Sequence, residues 1–181
     1  MKRAAELKSL SEDHHHSLVH ARRLRRAASG EGDALADAAR GFLGFWQAET
    51  SGHFRKEEEV LLPVYARHSG DLARDPVLQM HSQHAGIRGL VMRLSDEVRG
   101  GDVRPETLRK IGERLEAHIR LEERELFPMI EESLSEVALG ELGSRLTVKE
   151  AGPHAEPWVP SEGLSFGPWP GPGDSEGGGW D

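Results

Sequence analysis

Residues 53–63 read His-Phe-Arg-Lys-Glu-Glu-Glu-Val-Leu-Leu-Pro, and residues 118–128 repeat this stretch as His-Ile-Arg-Leu-Glu-Glu-Arg-Glu-Leu-Phe-Pro. In both copies the histidine and the first glutamate are four residues apart, which on an α-helix places them one turn apart on the same face. An imidazole and a carboxylate that point to one place suit a transition-metal ion, and a carboxylate can also bridge two ions. The repeat therefore predicts a metal-binding element that is duplicated on two helices.

The composition excludes several classes of function. The chain has 181 residues and a formal net charge of -8, which allows one domain with a core and argues against nucleic acid or an anionic membrane surface as a partner. It has no cysteine, so disulfides, zinc fingers and thiolate iron–sulfur clusters are excluded, and ten histidines remain. No segment approaches the roughly 20 apolar residues that span a bilayer, and the N-terminus lacks the apolar stretch of a secretion signal. We therefore expect a cytoplasmic protein.

The spacing of apolar residues predicts four long helices and one short helix. The long helices are predicted at residues 7–28, 34–66, 76–99 and 105–132, and the short one within residues 133–146. Pro63 should bend or end the second helix, and Ser135 should cap the short helix, which covers one end of the bundle. Because short connections make successive helices antiparallel, the predicted fold is all-α, an up-down-up-down four-helix bundle with a short fifth helix.

A tail is predicted after this domain. Residues 1–146 form the predicted bundle, whereas residues 147–181 are rich in glycine, proline and acidic residues and have no periodicity. Such a composition predicts an extended or disordered C-terminal tail. The tail also contains aromatic residues, at Trp158, Phe166, Trp169 and Trp180. They suggest contact with its own domain or with the mate in a homo-oligomer, or docking to another protein.

Histidines and glutamates occupy core positions of the predicted helices. His53 and Glu57 continue an apolar row in the second helix, and His118 and Glu122 do so in the fourth. His84 lies among aliphatic residues in the third helix. The glutamate that follows each first glutamate lies about 100° further round the helix, so we expect it beside the site or at the surface.

The first helix offers two candidate histidines. His14 stands four residues before Leu18 in the apolar row, whereas His15 is followed at plus seven by Arg22. Periodicity therefore favours His14 as the inward-facing residue, with His15 as the alternative. An offset of seventy residues also aligns His14 with His84, so the two halves of the chain look related.

A cation explains why a core would accept these groups. Burying an unpaired carboxylate costs several kcal/mol unless a cation neutralises it. Two core carboxylates and four core histidines therefore predict a shared two-metal centre. Hard carboxylates with imidazoles and no thiolate suit iron, manganese or zinc.

The order of these motifs resembles the hemerythrin-like family, also called HHE cation-binding domains. The resemblance covers residues 7–132 and implies a non-haem di-iron centre in which Glu57 and Glu122 bridge the ions and His14, His53, His84 and His118 complete the ligands. It also implies an open position for O2 or peroxide. Family members that carry oxygen reversibly have two histidines four apart on the third helix, and this chain departs from that pattern.

The departure lies at Met80, four residues before His84. Either His81 supplies a fifth imidazole, or a coordination position is open to solvent, peroxide or a carboxylate such as Glu49. We therefore expect two iron ions, with manganese or a mixed pair as alternatives, in a protein that binds or senses O2. A di-iron oxidoreductase acting on peroxide or an oxidisable substrate is the second hypothesis, and iron storage or delivery is the third.

Overall fold

A computed structural model of the protein describes residues 3–30, 32–69 and 71–150, and this part of the chain is helical apart from its turns. A short 3-10 turn, Ala5–Leu7, leads into the first helix. The five helices are α1 (Lys8–Ala27), α2 (residues 33–69), α3 (Asp75–Gly100), α4 (residues 105–133) and α5 (Glu136–Glu150). The predicted all-α class and the four long helices with a shorter fifth are confirmed.

Contacts between the helices establish their directions. Residue numbers rise along one helix while those of its partner fall. The contacting pairs are Arg3 with Glu131 and Arg25 with Glu116 between α1 and α4, His14 with His53 and His20 with Phe45 between α1 and α2, and Gln83 with His118 and Glu97 with Thr107 between α3 and α4. Neighbouring helices are therefore antiparallel, as the short connections predicted.

Wide π-helical turns interrupt α2 and α4. They span Trp46–Thr50 and Glu57–Leu61 in α2, and Glu122–Leu126 in α4. At their ends the backbone N–H bonds the carbonyl five residues back, as Leu62 does with Glu57. Of the two outcomes predicted for Pro63, a bend or an end of the helix, the second does not occur, because α2 continues to Ser69. The wide turn just before Pro63 relieves the clash between a proline ring and the carbonyl one turn back.

The apolar core consists of two clusters, one toward each end of the bundle. The first contains Tyr65, Met80 and Phe127, and the second contains Phe42 and Leu94 among others. Burial of both clusters supplies the main stabilisation of the bundle, at roughly 25 cal/mol per Å² of apolar surface. The polar side chains described below form a layer between them.

Helix α5 closes one end of the bundle. Leu142 and Leu146 are buried in the first cluster, and Ser135 caps the helix by accepting a hydrogen bond from the Ala138 backbone N–H at 3.3 Å. The helix extends to Glu150, beyond the predicted domain boundary. The remaining predicted tail, with its four aromatic residues, lies outside the described residues. Within the described ranges, every helix is too short or too polar to cross a membrane.

Candidate metal centre

Six side chains from four helices meet between the two apolar clusters. None of them is more than 3 % exposed, and they are His14 from α1, His53 and Glu57 from α2, His84 from α3, and His118 and Glu122 from α4. They form two groups of four that could each hold a metal ion, and Glu57 and Glu122 belong to both groups. The structure thus brings together the six residues that sequence periodicity selected.

The first group joins α1 and α2 to the two glutamates. The Nε2 atoms of His14 and His53 lie 3.0 Å apart. Nε2 of His14 is 3.0 Å from Oε2 of Glu122, and Nε2 of His53 is 3.3 Å from Oε1 of Glu57. Two imidazoles and two carboxylates therefore converge on one place.

The second group has the same composition on α3 and α4. The Nε2 atoms of His84 and His118 lie 3.3 Å apart. Nε2 of His84 is 3.3 Å from Oε2 of Glu57, and Nε2 of His118 is 3.2 Å from Oε2 of Glu122. Since the two oxygens of Glu57 face different groups, its carboxylate spans both.

Two glutamates that lie outside the cluster contact the Nδ1 atoms of cluster histidines. Nδ1 of His14 lies 2.7 Å from Oε1 of Glu123, and Nδ1 of His84 lies 2.7 Å from Oε1 of Glu58. A carboxylate can only accept, so each Nδ1 carries the hydrogen and each Nε2 keeps its lone pair for a metal. Of the two places predicted for these glutamates, beside the site or at the surface, both occupy the first.

Arginines hold these two outer glutamates in turn. Both Nη atoms of Arg88 donate to Glu58, at 2.7 and 2.8 Å, and Arg3 donates to Glu123 at 2.6 Å. Burial raises the pKa of Glu123, but hydrogen bonds with His14 and Arg3 help to lower it to about 2. Burial also raises the pKa of Glu58, and Arg88 and His84 bring it below its ordinary value. Both carboxylates are therefore ionised at neutral pH.

The other two histidines have outer partners that were not predicted from the sequence. Nδ1 of His53 lies 3.2 Å from Oδ2 of Asp13, and Nδ1 of His118 lies 3.2 Å from Oε1 of Gln83. Asp13 and Gln83 directly precede the histidines of α1 and α3, and the offset of seventy residues aligns them with each other. That alignment of two hydrogen-bond acceptors is the signal that could have identified them.

The buried charges of the cluster shift its pKa values strongly. Burial raises the pKa of Glu122 well above its ordinary value, and the negative charge of Glu57 raises it further. Burial also opposes the charge on Glu57, but His53 holds the pKa of Glu57 well below its ordinary value. Burial lowers the pKa of His53, yet Glu57 and the hydrogen bond with Asp13 raise it to about 9. Without a bound cation, burial and mutual repulsion therefore oppose negative charge on both glutamates at once.

The donor atoms fit metal ions. All four carboxylate oxygens of Glu57 and Glu122 are buried and lack a hydrogen-bond partner. Such atoms are costly in a core unless a cation satisfies them. Two nitrogens that bind one ion at a right angle, each at about 2.1 Å, lie about 3.0 Å apart. The Nε2 separations of 3.0 and 3.3 Å in the two groups match that spacing.

The alternative candidates lie away from the cluster. His15 and His81 are exposed, and Met80 is fully buried in the first apolar cluster. The side chain of Glu49 is 49 % exposed and its Oε2 lies 3.0 Å from Nδ1 of His16. Glu49, one of the alternatives for the open coordination position, therefore lies at the surface, within the π-turn Trp46–Thr50.

The fold and the site together define a class: four-helix-bundle proteins with a cation-binding cluster of buried histidines and glutamates. A family model described as "Hemerythrin HHE cation binding domain" matches residues 6–130, and the chain belongs to this family. The resemblance seen in the sequence is thereby confirmed. Comparisons with curated proteins and with solved structures gave no match.

Proposed function

We propose that the protein is a non-haem di-iron protein that binds or senses O2 or a related small molecule. One observation carries this proposal: two four-residue groups share Glu57 and Glu122, whose oxygens are buried without hydrogen-bond partners. Sharing of both carboxylates favours a pair of ions over two independent sites. Iron is the metal that we infer from the family, and manganese accepts the same ligands.

The side chains of the cluster have separate tasks in this proposal. Glu57 and Glu122 span the two groups and would offset part of the positive charge of the ions. The four outer partners fix each imidazole with its Nε2 toward the centre, which keeps the ligand geometry when the charge changes. A carboxylate-bridged pair of iron ions, when bound, exchanges two electrons with O2 or peroxide.

Burial of the centre supports a small ligand. The six side chains are at most 3 % exposed and are covered by apolar clusters on both sides. A large organic substrate would require these clusters to open, whereas a molecule of two or three atoms requires only small fluctuations. The apolar surroundings also keep bulk water from the donor atoms.

Activity on peroxide is the second candidate function, and the position of His81 favours it. The centre gathers four imidazoles, since His81 is exposed and Met80 packs into apolar core. A centre with one imidazole fewer than in the reversible oxygen carriers has one coordination position more for exchange. Such a position suits an oxidoreductase that turns over peroxide.

Two measurements test the proposal. Metal analysis of protein expressed with iron should give about two ions per chain, and replacing both His53 and His118 by alanine should abolish binding. His15→Ala with His81→Ala is the matched control, because both histidines are exposed, and it should retain the metal. If the variant with both His53 and His118 replaced keeps all of its iron, this centre is excluded as the metal site.

Titration of the reduced protein with O2 separates the two functions. A visible band that appears with O2 and disappears when O2 is removed supports binding or sensing. Catalytic loss of added peroxide supports the oxidoreductase. If the loaded protein gives neither response, the proposed chemistry is wrong even though the metal site is right.

A further inference from the structure

Thr50 has a buried hydroxyl without a hydrogen-bond partner. The residue is 1 % exposed, and its Oγ1 contacts no donor or acceptor within hydrogen-bonding geometry. Helical serines and threonines commonly bond the carbonyl one turn back. Ser51, Ser133 and Ser144 do so in this protein. Thr50, at the end of the π-turn Trp46–Thr50, does not, so its hydroxyl is available to a further group.

The antiparallel register places this hydroxyl beside one half of the metal centre. His14 of α1 lies opposite His53 of α2, and His20 lies opposite Phe45. Between these pairs, Ser17 of α1 comes to the level of Thr50 of α2. Ser17 is 4 % exposed. Each hydroxyl residue is three positions, or about one helical turn, from the histidine of its own helix.

The other half of the centre is covered differently. The ring of Phe54 stacks on His84, with centroids 3.7 Å apart, and meets the edge of His118 at 4.9 Å. His14 has an aromatic neighbour too, but Phe127 belongs to the opposite apolar cluster, away from Thr50. Ser17 and Thr50 therefore accompany His14 and His53, whereas Phe54 covers His84 and His118.

We propose that Thr50, with Ser17 beside it, hydrogen-bonds a small ligand at the half of the centre formed by His14 and His53. The inference rests on the proposed metal function. The ligand class is a molecule of two or three atoms with an accepting oxygen or nitrogen, such as peroxide or azide. Phe54 makes the half formed by His84 and His118 the closed one.

Azide binding to the iron-loaded, oxidised full-length protein tests this inference through the visible absorption of the complex. Thr50→Val keeps the side-chain shape and removes the hydroxyl, and it should weaken azide binding about 2-fold to 10-fold, as loss of one hydrogen bond does. Thr50→Ser should bind azide nearly as the wild type does. Thr107→Val is the control, because Thr107 is also buried and its hydroxyl donates to Glu97 at 2.7 Å.

Melting of the iron-depleted proteins gives a second readout. Thr50→Val should melt at the same temperature as the wild type or higher, since an unpaired buried hydroxyl is replaced by a methyl group. Thr107→Val should melt lower and keep wild-type azide affinity. A lower melting temperature for Thr50→Val would mean that the hydroxyl has a structural partner, and would refute the inference.

The outcomes separate this inference from the proposed function. Wild-type azide affinity in Thr50→Val, with iron content unchanged, refutes the role of Thr50 and leaves the metal centre standing. Failure of the wild type itself to take up iron refutes both. If Thr50→Val does not take up iron, Thr50→Ala is measured in its place, with the same expected loss of affinity.

Discussion

Replacing Glu122 by leucine should stabilise the protein without metal and destabilise it with metal. The Glu122 side chain is fully buried and neither oxygen has a hydrogen-bond partner. Burial and the charge of Glu57 raise its pKa well above its ordinary value, so the core of the metal-free protein disfavours this carboxylate. A buried polar group without partners costs about 1–3 kcal/mol.

The net gain should lie at the low end of that range. Nε2 of His14 and Nε2 of His118 each lose a neighbouring oxygen, at 3.0 and 3.2 Å, which offsets part of the gain. We therefore expect the metal-free Glu122→Leu variant to be more stable by about 1 kcal/mol, or about 2–4 °C in melting temperature for a domain of this size. Metal should reverse the order, because ions at a thousand times their dissociation constant stabilise the wild type by about 4 kcal/mol.

Thermal melts of metal-free and iron-loaded protein at pH 7, followed by circular dichroism, measure both effects. Glu125→Leu is the matched control, because Glu125 is an exposed glutamate in the same π-turn, Glu122–Leu126. It should leave the stabilisation by iron unchanged. The reasoning fails if Glu122→Leu melts below the metal-free wild type, or if iron stabilises this variant as much as it stabilises the wild type.

Three further predictions concern ligands, protons and packing. His14→Ala should lose iron while His15→Ala retains it, as metal analysis would show, because His14 is buried in the cluster and His15 is exposed. Metal binding should release protons near pH 7.5 and become tighter as the pH rises toward 9. The reason is that the pKa of His53 is about 9, so its imidazolium must lose a proton before it can bind a metal. Calorimetry in two buffers of different ionisation enthalpy measures the number of protons released. Gly112→Ala should lower the free energy of unfolding by about 1–3 kcal/mol in a denaturant titration, because the added Cβ would lie 2.6 Å from the Ala21 carbonyl oxygen. Gly89→Ala is the control and should not destabilise the protein, because the space around Gly89 is open.

Sequence periodicity predicted the bundle and the six clustered side chains because both follow from which residues a helix buries. His53, Glu57 and His84 stand in apolar rows, and a long helix has one way to bury such a row. The repeat then identified two of the helices as related. Neither inference needed knowledge of how the helices pack.

The π-turns could not be predicted in this way. A π-turn adds one residue to a helical turn and so changes which side chains of that turn face the core, and it persists only where packing across helices stabilises it. The turn Trp46–Thr50 moved Glu49 to the surface and brought Thr50 into the core. Periodicity therefore did not show that Glu49 is exposed and Thr50 is buried. The proline in each copy of the repeat is a local sign, because Pro63 and Pro128 each stand two residues after the end of a π-turn.

The outer partners explain why the repeat contains two adjacent glutamates. In each copy the first glutamate, Glu57 or Glu122, enters the cluster, and the next holds a histidine of another helix: Glu58 holds His84, and Glu123 holds His14.

The residues that precede the histidines of α1 and α3 complete the same pattern. Asp13 holds His53, and Gln83 holds His118. The two halves of the chain thus build one pseudo-symmetric centre. Each half supplies metal-binding residues, and its outer partners orient histidines both of its own half and of the other half. The symmetry is broken where a carboxylate faces His53 and a neutral amide faces His118. An anionic partner increases the basicity of an imidazole more than an amide does, so His53 is the stronger donor, on the side of the centre where Thr50 lies.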